Sequence, residues 1–268
     1  MDESSSGAVQ WRIRLVRTVF TDGGKNMGKV ALITGSSRGI GLEIAKRLAT
    51  DGFSIVLNTV QDDPELEGAV RAIEDLGAEA VGIRADVSDE GDVQRLFAVA
   101  VDRFGGLDVV VNNAGVMIPA KIAAESVESF DTTVRINLRG TFLVLAQAAV
   151  HVRTNGRIIA MSTSVLARPA PGYGAYIASK EGIEGLVRVL ASELRGRQIT
   201  VNALAPGPIA TEFFLKWKSP EEIEAIRKIA PFERLGEPAD VAQTAAFLAG
   251  PDGGWINGQS IRTNGGFA

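Results

Sequence analysis

Seven short runs of mostly β-branched and other apolar residues recur along the chain, and each is separated from the next by a segment long enough for a helix. These runs are KVALIT (29–34), SIVLN (54–58), AVGIRA (80–85), DVVVN (108–112), RIIAM (157–161), QITVNAL (198–204) and QSIRT (259–263). The first five are nearly continuous in apolar character, which is typical of strands covered on both faces. Strands joined by helix-length crossovers are parallel. The pattern therefore predicts an α/β domain built on a doubly wound, seven-stranded parallel sheet.

Two segments depart from this pattern. Residues 1–26 begin Ser-rich, carry no regular alternation and are predicted to form a flexible N-terminal extension, which precedes a single domain at 27–268. Arginines in the extension leave open an anionic partner, and Met27 leaves open a second start codon. The connection at about 211–240 contains an amphipathic stretch at 220–229. It is predicted to be a lid, with an additional surface helix as the alternative.

The composition narrows the chemistry that this domain can perform. The chain has 28 Lys and Arg against 32 Asp and Glu, without the basic cluster that nucleic acid requires. It has no Cys and a single histidine, His151, so acid and base roles are left to carboxylates, lysines or the two tyrosines, Tyr173 and Tyr176. No apolar run approaches the ~18 residues of a membrane span, and the polar N-terminus is unlike a secretory signal. A cytoplasmic protein without a membrane or nucleic-acid partner is expected.

A glycine-rich segment follows the first predicted strand directly. It reads TGSSRGIG (34–41), and the residues after it have helical periodicity. Gly35 permits a tight turn, Gly39 lets the backbone approach a pyrophosphate, and Gly41 permits close packing of the helix. Amides at the helix N-terminus would then point at phosphate groups. The arrangement predicts a dinucleotide site at the carboxyl end of the sheet, although a glycine-rich turn without a ligand has the same pattern.

The spacing of these glycines, G-x3-G-x-G, resembles that of the short-chain dehydrogenase/reductase superfamily, and further motifs follow in the family's order. They are ADV (85–87), NNAG (112–115), RINLRG (135–140), STS (162–164), YIASK (176–180), NALAPGPIAT (202–211) and NGQSIRTNGG (257–266). The resemblance covers about residues 28–266 and is closest in pattern to 3-oxoacyl-acyl-carrier-protein reductases and hydroxynaphthalene-type polyketide reductases. It implies a Rossmann fold and a homo-oligomer, either a tetramer or a dimer.

The resemblance also implies which residues bind the cofactor. They are Gly35, Ser37, Arg38, Gly39, Ile40, Gly41, Asn58, Asp86, Val87, Asn113, Ala114, Gly115, Tyr176, Lys180, Pro206, Gly207, Ile209 and Thr211. Asn137 matches the helix asparagine that orders a proton-relay water in the family.

Tyr176 and Lys180 have the chemistry that carbonyl reduction needs. Hydride transfer to a ketone creates an alkoxide, which must be hydrogen-bonded and protonated. Lys180 follows Tyr176 by four residues, so both lie on one face of a helix. Its ammonium is expected to lower the pKa of the phenol from near 10 by about three units. Taken alone, the pair also fits a surface contact. Tyr173 lacks a cation at this spacing and is expected to line the pocket or to pack.

The hydroxyl group that assists the tyrosine has two candidates. Family members usually carry a serine thirteen residues before the tyrosine, and Thr163 occupies that position here. Threonine keeps the hydroxyl donor and is preferred. Ser164 would take the role if the connecting loop were one residue shorter, and either residue could instead bond its own backbone.

Asn58, followed by Thr59, stands where NAD-specific dehydrogenases place a carboxylate on the adenosine ribose. Arg38 resembles the basic residue that NADP-preferring relatives place beside the 2′-phosphate. NADP(H) is therefore favoured. NAD(H) stays open, because Asp62 or Asp63 could fold back onto the ribose, or Arg38 could simply cover the surface.

The resulting hypothesis is an NADP(H)-dependent oxidoreductase that transfers hydride between the nicotinamide and a small-molecule ketone or secondary alcohol. The candidate pocket residues are apolar in bulk, which suits an aliphatic or aromatic substrate. They are Val165, Tyr173, Phe213 and Trp217. The alternatives are a catalytically silent dinucleotide-binding regulator and a nucleotide-sugar epimerase, and the latter is disfavoured because such relatives carry a longer C-terminal substrate domain.

Overall fold

The computed structural model describes residues 28–61, 64–216 and 218–268. The predicted extension at 1–26, the alternative ribose contacts Asp62 and Asp63, and the predicted pocket residue Trp217 lie outside the described residues.

All seven predicted strands form one parallel sheet with the strand order β3-β2-β1-β4-β5-β6-β7. Their bounds are Val30–Ile33 (β1), Ser54–Thr59 (β2), Ala80–Arg84 (β3), Leu107–Asn112 (β4), Val152–Met161 (β5), Thr200–Pro206 (β6) and Ser260–Thr263 (β7). The helices are Gly39–Thr50 (α1), Pro64–Glu74 (α2), Glu90–Phe104 (α3), Val127–Thr133 (α4), Gly140–His151 (α5), Gly174–Glu193 (α6), Glu212–Leu215 (α7), Pro220–Arg227 (α8) and Pro238–Ala249 (α9).

Helices cover the sheet on both faces, and this explains the continuous apolar strands. Val30 and Leu32 of β1 belong to the core cluster formed with α3, α5 and α6. Ala31 and Ile33 belong to the opposite cluster, formed with α1, α2 and α9. Because successive side chains of a strand point to opposite faces, both sets must be apolar when both faces are covered. The predicted doubly wound fold is thus confirmed.

The strand order reverses between β1 and β4, which is where ligands bind in open sheets of this class. The carboxyl ends of these two strands are joined by Thr34, whose Oγ1 accepts hydrogen bonds from the amides of Asn113 and Ala114 at 3.0 Å each. The glycine-rich loop and the NNAG segment therefore form one continuous edge.

Two local features depart from regular patterning. β5 begins at Val152, five residues before the predicted start, and its register against β4 shifts between Leu107 and Val109. Between α4 and α5 the chain forms a π-helical stretch at Val134–Arg139. Irregularities of this kind occur often at functional sites. Within the described residues, no helix is both long and apolar enough to cross a membrane.

The insertion at about 211–240 contains α7 and α8. The predicted amphipathic stretch forms α8, which begins with a capping box between Ser219 and Glu222. Phe213 of α7 is 47% exposed. This exposure is unlike that of a surface helix whose aromatic residues all pack inwards, and the lid remains a prediction.

Gly41→Ala tests the tightest contact of α1 with the sheet. A Cβ at this position would lie 2.5 Å from the carbonyl oxygen of Gly35 and 2.6 Å from Nδ2 of Asn113. We expect overpacking to lower the free energy of unfolding by about 1–3 kcal/mol, measured by urea denaturation. Gly68→Ala in α2 is the matched control, since its Cβ would meet nothing within 4 Å and should stabilise the helix by up to about 1 kcal/mol. A Gly41→Ala protein as stable as the wild type would contradict the prediction.

Candidate active site

Glycine-specific backbone geometry shapes the loop between β1 and α1. Gly35 and Gly39 have positive φ values of 60° and 59°, a conformation that residues with a side chain rarely adopt. α1 begins at Gly39, its N-cap residue Arg38 makes no side-chain capping bond, and its first turn holds no acidic residue. The first amides of the helix therefore lack a side-chain cap, and the helix dipole favours an anion there.

Asn58 is placed differently from the sequence-based expectation. Its side chain is 1% exposed; Oδ1 accepts from the Gly35 amide at 3.3 Å, and Nδ2 donates to the carbonyls of Ile83 and Ala85 at 3.1 and 3.0 Å. Its own amide donates to Ser36 Oγ at 3.0 Å. The prediction that Asn58 contacts the adenosine ribose is corrected, because its side-chain amide bonds main-chain groups of the loop and of β3 inside the protein. Thr59, the last residue of β2, is the next position outward and is half-buried.

Arg38 lies on the outer side of the loop, with its side chain 65% exposed. Its Nη1 is 3.2 Å from Oε2 of Glu212, at the start of α7, and 3.6 Å from Oε1 of Glu65 in α2. The guanidinium therefore joins three elements around the N-terminus of α1. At this exposure each ion pair contributes at most about 1 kcal/mol, so an anion with more charge than a carboxylate can compete for Arg38.

The segments after β3 and β4 are fixed by short hydrogen bonds. Asp86 Oδ1 accepts from the amide and the hydroxyl of Ser88 at 2.8 Å each, while Val87 is buried. Asn113 Nδ2 donates to the carbonyls of Thr34 and Gly35 at 2.9 and 2.8 Å. The structure thus brings Asp86, Val87, Asn113 and the loop to the same edge.

Asn137 lies in the π-helical stretch and clamps the chain after β4. Its Oδ1 accepts from the amide of Val116, and its Nδ2 donates to the carbonyl of the same residue, both at 2.8 Å. Its main-chain carbonyl accepts from Thr141 Oγ1 at 2.6 Å. The buried Asn137 therefore positions Gly115, where an added Cβ would stand 3.1 Å from Asn137 Oδ1 and 3.8 Å from Lys180 Nζ.

Tyr176 and Lys180 share one face of α6, as the spacing predicts. Lys180 is buried; its Nζ donates to the carbonyl of Met161 at 2.7 Å and lies 5.7 Å from the centroid of the Tyr176 ring. Burial lowers the pKa of Lys180 to about 8.

The pKa of the Tyr176 phenol is opposite in direction to the sequence-based expectation. Loss of hydration on burial raises it to about 12, against the lowering effect of a hydrogen bond with Thr163. The expected acidification by Lys180 is corrected, because the ammonium is bonded to Met161 and desolvation of the phenolate is the larger effect.

Thr163 and Ser164 have different surroundings. Thr163 is half-buried, hydrogen-bonds to Tyr176 and accepts from the amide of Val165 at 3.3 Å. Ser164 is fully buried, donates to the carbonyl of Ala205 at 2.8 Å and accepts from Asn264 at 3.1 Å. The geometry favours Thr163 as the assisting hydroxyl, since the Ser164 hydroxyl already bonds Ala205 and Asn264.

The remaining predicted residues surround this pair. Tyr173 lies edge-on to Tyr176, with ring centroids 6.3 Å apart. Val165 lies in the short 3₁₀ turn Ser164–Ala167, which Thr163 caps. Pro206 ends β6, Gly207 follows it, and Ile209 is buried. Thr211 caps α7, and its Cγ2 would be 3.8 Å from a Cβ added to Gly39, so the segment after β6 approaches the glycine-rich loop.

Ser37 lies within that loop, and Ile40 lies in the first turn of α1. A cavity of about 160 Å³ lies between the insertion and the segment after β6. Its lining includes Pro208, Ile209, Ile226 and Phe232.

Sequence reasoning missed residues that support this site. Ser179 Oγ donates to the carbonyl of Tyr176 at 2.7 Å and accepts from Asn137 Nδ2 at 3.2 Å. Ser162 Oγ donates to Glu184 Oε1 at 2.6 Å. The signal for Glu184 was available, because it follows Lys180 by four residues and therefore lies on the same face of α6.

Comparison with known proteins adds independent findings. A family model described as enoyl-(acyl carrier protein) reductase matches residues 35–268. A short-chain type dehydrogenase/reductase of Picea abies is 44% identical over 89% of this chain and 92% of that protein. An NADPH-dependent aldehyde reductase-like protein, chloroplastic, of Arabidopsis thaliana is 42% identical over 90% of this chain and 94% of that protein. The crystal structure of a short chain dehydrogenase from Burkholderia cenocepacia in complex with NADP has a TM-score of 0.84 at 35% identity, covering 89% of this chain and 97% of that chain.

Single substitutions at Thr163 and Ser164 separate the two hydroxyls by their effect on stability. Ser164→Ala removes a buried donor and an acceptor, and we expect the free energy of unfolding to fall by about 1–3 kcal/mol. Thr163→Val keeps the shape of a half-buried side chain and should cost less than about 1 kcal/mol. Urea denaturation of both variants measures the difference. A neutral Ser164→Ala would contradict the structural role of Ser164, and a Thr163→Val that is the more destabilising of the two would assign that role to Thr163.

Proposed function

Because the chain belongs to the short-chain dehydrogenase/reductase superfamily, whose members are NAD(P)-dependent oxidoreductases, we propose that it reduces the carbonyl group of a small molecule with NADPH. The observation that carries this proposal is the convergence of Tyr176, Thr163 and Lys180 at the carboxyl end of β5, next to the sheet crevice. The reaction is reversible, so the same site oxidises a secondary alcohol when NADP is supplied.

Residues of the crevice fit a dinucleotide. Gly35 and Gly39 adopt the positive φ values of a tight turn, and the first amides of α1 have no side-chain cap. Gly115 leaves room beside Asn137 and Lys180 that a side chain would fill. Among the cofactor contacts predicted from the motif order, we retain Asp86, Val87, Asn113, Ala114, Pro206, Gly207, Ile209 and Thr211. The nicotinamide supplies, when the cofactor is bound, the hydride that is transferred to the carbonyl carbon.

Arg38 supports NADP(H) over NAD(H). It is an exposed cation at the end of the glycine-rich loop, just before α1. The neighbouring end of β2 carries Thr59 rather than a carboxylate. The Arabidopsis relative is named as NADPH-dependent, and the Burkholderia structure is a complex with NADP. We therefore assign Arg38 to the 2′-phosphate.

In the proposed reaction Tyr176 gives its proton to the carbonyl oxygen. Its raised pKa keeps the phenol protonated at neutral pH, and an alkoxide is a stronger base than a phenolate, so the transfer is downhill. Thr163 bonds the phenol and, with it, orients the carbonyl oxygen. Lys180, whose pKa burial lowers to about 8, and Asn137 connect the tyrosine to solvent, from which its proton is replaced.

Apolar residues indicate the class of substrate. Tyr173 lies edge-on to Tyr176, and the predicted set is completed by Val165, Phe213 and Trp217. We propose an uncharged aldehyde or ketone with an aliphatic or aromatic body.

Cytoplasmic residence and a homo-oligomer, either a tetramer or a dimer, also remain proposals. The Arabidopsis relative is named as chloroplastic, which makes an organelle the competing compartment.

Arg38→Ala tests the cofactor assignment. Loss of a charge-assisted bond to a phosphate costs about 1.5–3 kcal/mol, so we expect NADPH to bind at least tenfold more weakly while NADH binding changes less than threefold. Fluorescence titration of both cofactors measures this. Arg47→Ala is the control, because it removes the same charge from the last turn of α1, where Arg47 pairs with Asp51. An equal loss for both cofactors, or a wild type that prefers NADH, would overturn the assignment.

Tyr176→Phe tests the chemistry. Removal of a general acid typically costs 10²–10⁴-fold in rate, so we expect kcat to fall by at least about a hundredfold while NADPH affinity stays within threefold. The assay follows NADPH oxidation with a panel of aldehydes and ketones, and Tyr173→Phe is the control. Retained turnover in Tyr176→Phe would move the acid role to another residue. A wild type that binds NADPH but reduces no member of the panel would favour the silent regulator.

A further inference from the structure

Three successive residues at the end of β5 contact three residues on one face of α6. The Met161 carbonyl accepts from Lys180 Nζ at 2.7 Å, and Thr163 hydrogen-bonds to Tyr176. Between them, Ser162 Oγ donates to Glu184 Oε1 at 2.6 Å. Residues 176, 180 and 184 are spaced by four and therefore lie one above the other along the helix. Two of the three contacts hold groups of the proposed reaction, and the middle one has no role in it.

The middle contact has the features of a strong anchor. Ser162 is 4% exposed, and a hydroxyl that donates to a carboxylate forms a shorter and stronger bond than one between neutral groups. Within the described part of the chain, Glu184 forms no ion pair, so its carboxylate is directed to Ser162 rather than shared with a cation. The amide of Ser162 donates to the Leu204 carbonyl of β6 at 2.7 Å, beyond the last paired residue of β5.

We propose that Glu184 is a positioning residue for the reduction and acts through Ser162. Its carboxylate fixes the residue between Met161 and Thr163, so the carbonyl that holds Lys180 and the hydroxyl that bonds Tyr176 keep their distance from α6. Without this anchor the strand end moves relative to the helix, and misplacement by about 1 Å is enough to slow a reaction by up to a hundredfold. The inference rests on the proposed function and adds to it a residue outside the motif-derived set.

Four variants test it with steady-state kinetics and NADPH titration. Ser162→Ala and Glu184→Ala each remove the bond, and we expect kcat to fall about tenfold while KM and the NADPH dissociation constant change less than threefold. Glu184→Gln keeps an acceptor oxygen and should retain kcat within threefold. The double variant Ser162→Ala/Glu184→Ala should be no slower than either single one, because both remove the same contact.

The control is Ser192→Ala, which removes a serine of α6 that bonds the Arg188 carbonyl at the helix surface, at 3.4 Å; it should leave kcat unchanged. A purely structural contact predicts a different result, namely a lower urea midpoint with full kcat in the folded protein. Full kcat in Ser162→Ala, a Glu184→Gln as slow as Glu184→Ala, or a rise in KM alone would overturn the inference. Ser162→Ala carries the test if Glu184→Ala fails to fold.

Tyr176→Phe, assayed in parallel, distinguishes the two proposals. If Tyr176→Phe is inactive and the Ser162 and Glu184 variants are fully active, only the positioning role fails. If Tyr176→Phe keeps its turnover, the proposed chemistry itself fails.

Discussion

The close approach of α1 to the carboxyl ends of β1 and β4 is the constraint on which the rest of the site depends. Gly41 lies so near the Gly35 carbonyl and the Asn113 amide that a methyl group does not fit. This contact directs the first amides of the helix into the crevice. It also requires the buried network of Ser36, Asn58 and Thr34, which satisfies the polar groups of the turn from behind.

Burial decides the character of the proposed acid. Near a cation a phenol becomes more acidic, whereas away from water it becomes less so. In this protein the loss of hydration is the larger effect, and the pKa of Tyr176 rises. The same burial lowers the pKa of Lys180. Both shifts make ionisation costly within the pair, which suits a proton donor that must stay neutral until an alkoxide forms beside it.

The fold was predictable from the sequence because each strand between two helical layers must be apolar on both faces, as in β1 with Leu32 and Ile33. Motif order predicted the residues that gather at the crevice. The prediction for Asn58 was wrong because the sequence of a polar residue at a strand end does not show whether its side chain faces a ligand or the inside of a turn. The predicted lowering of the Tyr176 pKa was wrong. The spacing places Lys180 nearby but does not show that its ammonium bonds Met161.

The glycine-rich loop and the proposed substrate side are held in place by different kinds of contact. The loop depends on its glycines and on the buried side chains of Ser36, Asn58 and Thr34, so few substitutions are compatible with it. Val165, Tyr173 and Phe213 instead project from connections beyond the strand ends. Substitutions at these positions can therefore change the proposed substrate side without altering the glycine-rich loop. A scaffold divided in this way can diversify into many substrate preferences, and directed evolution of this chain should concentrate on those connections.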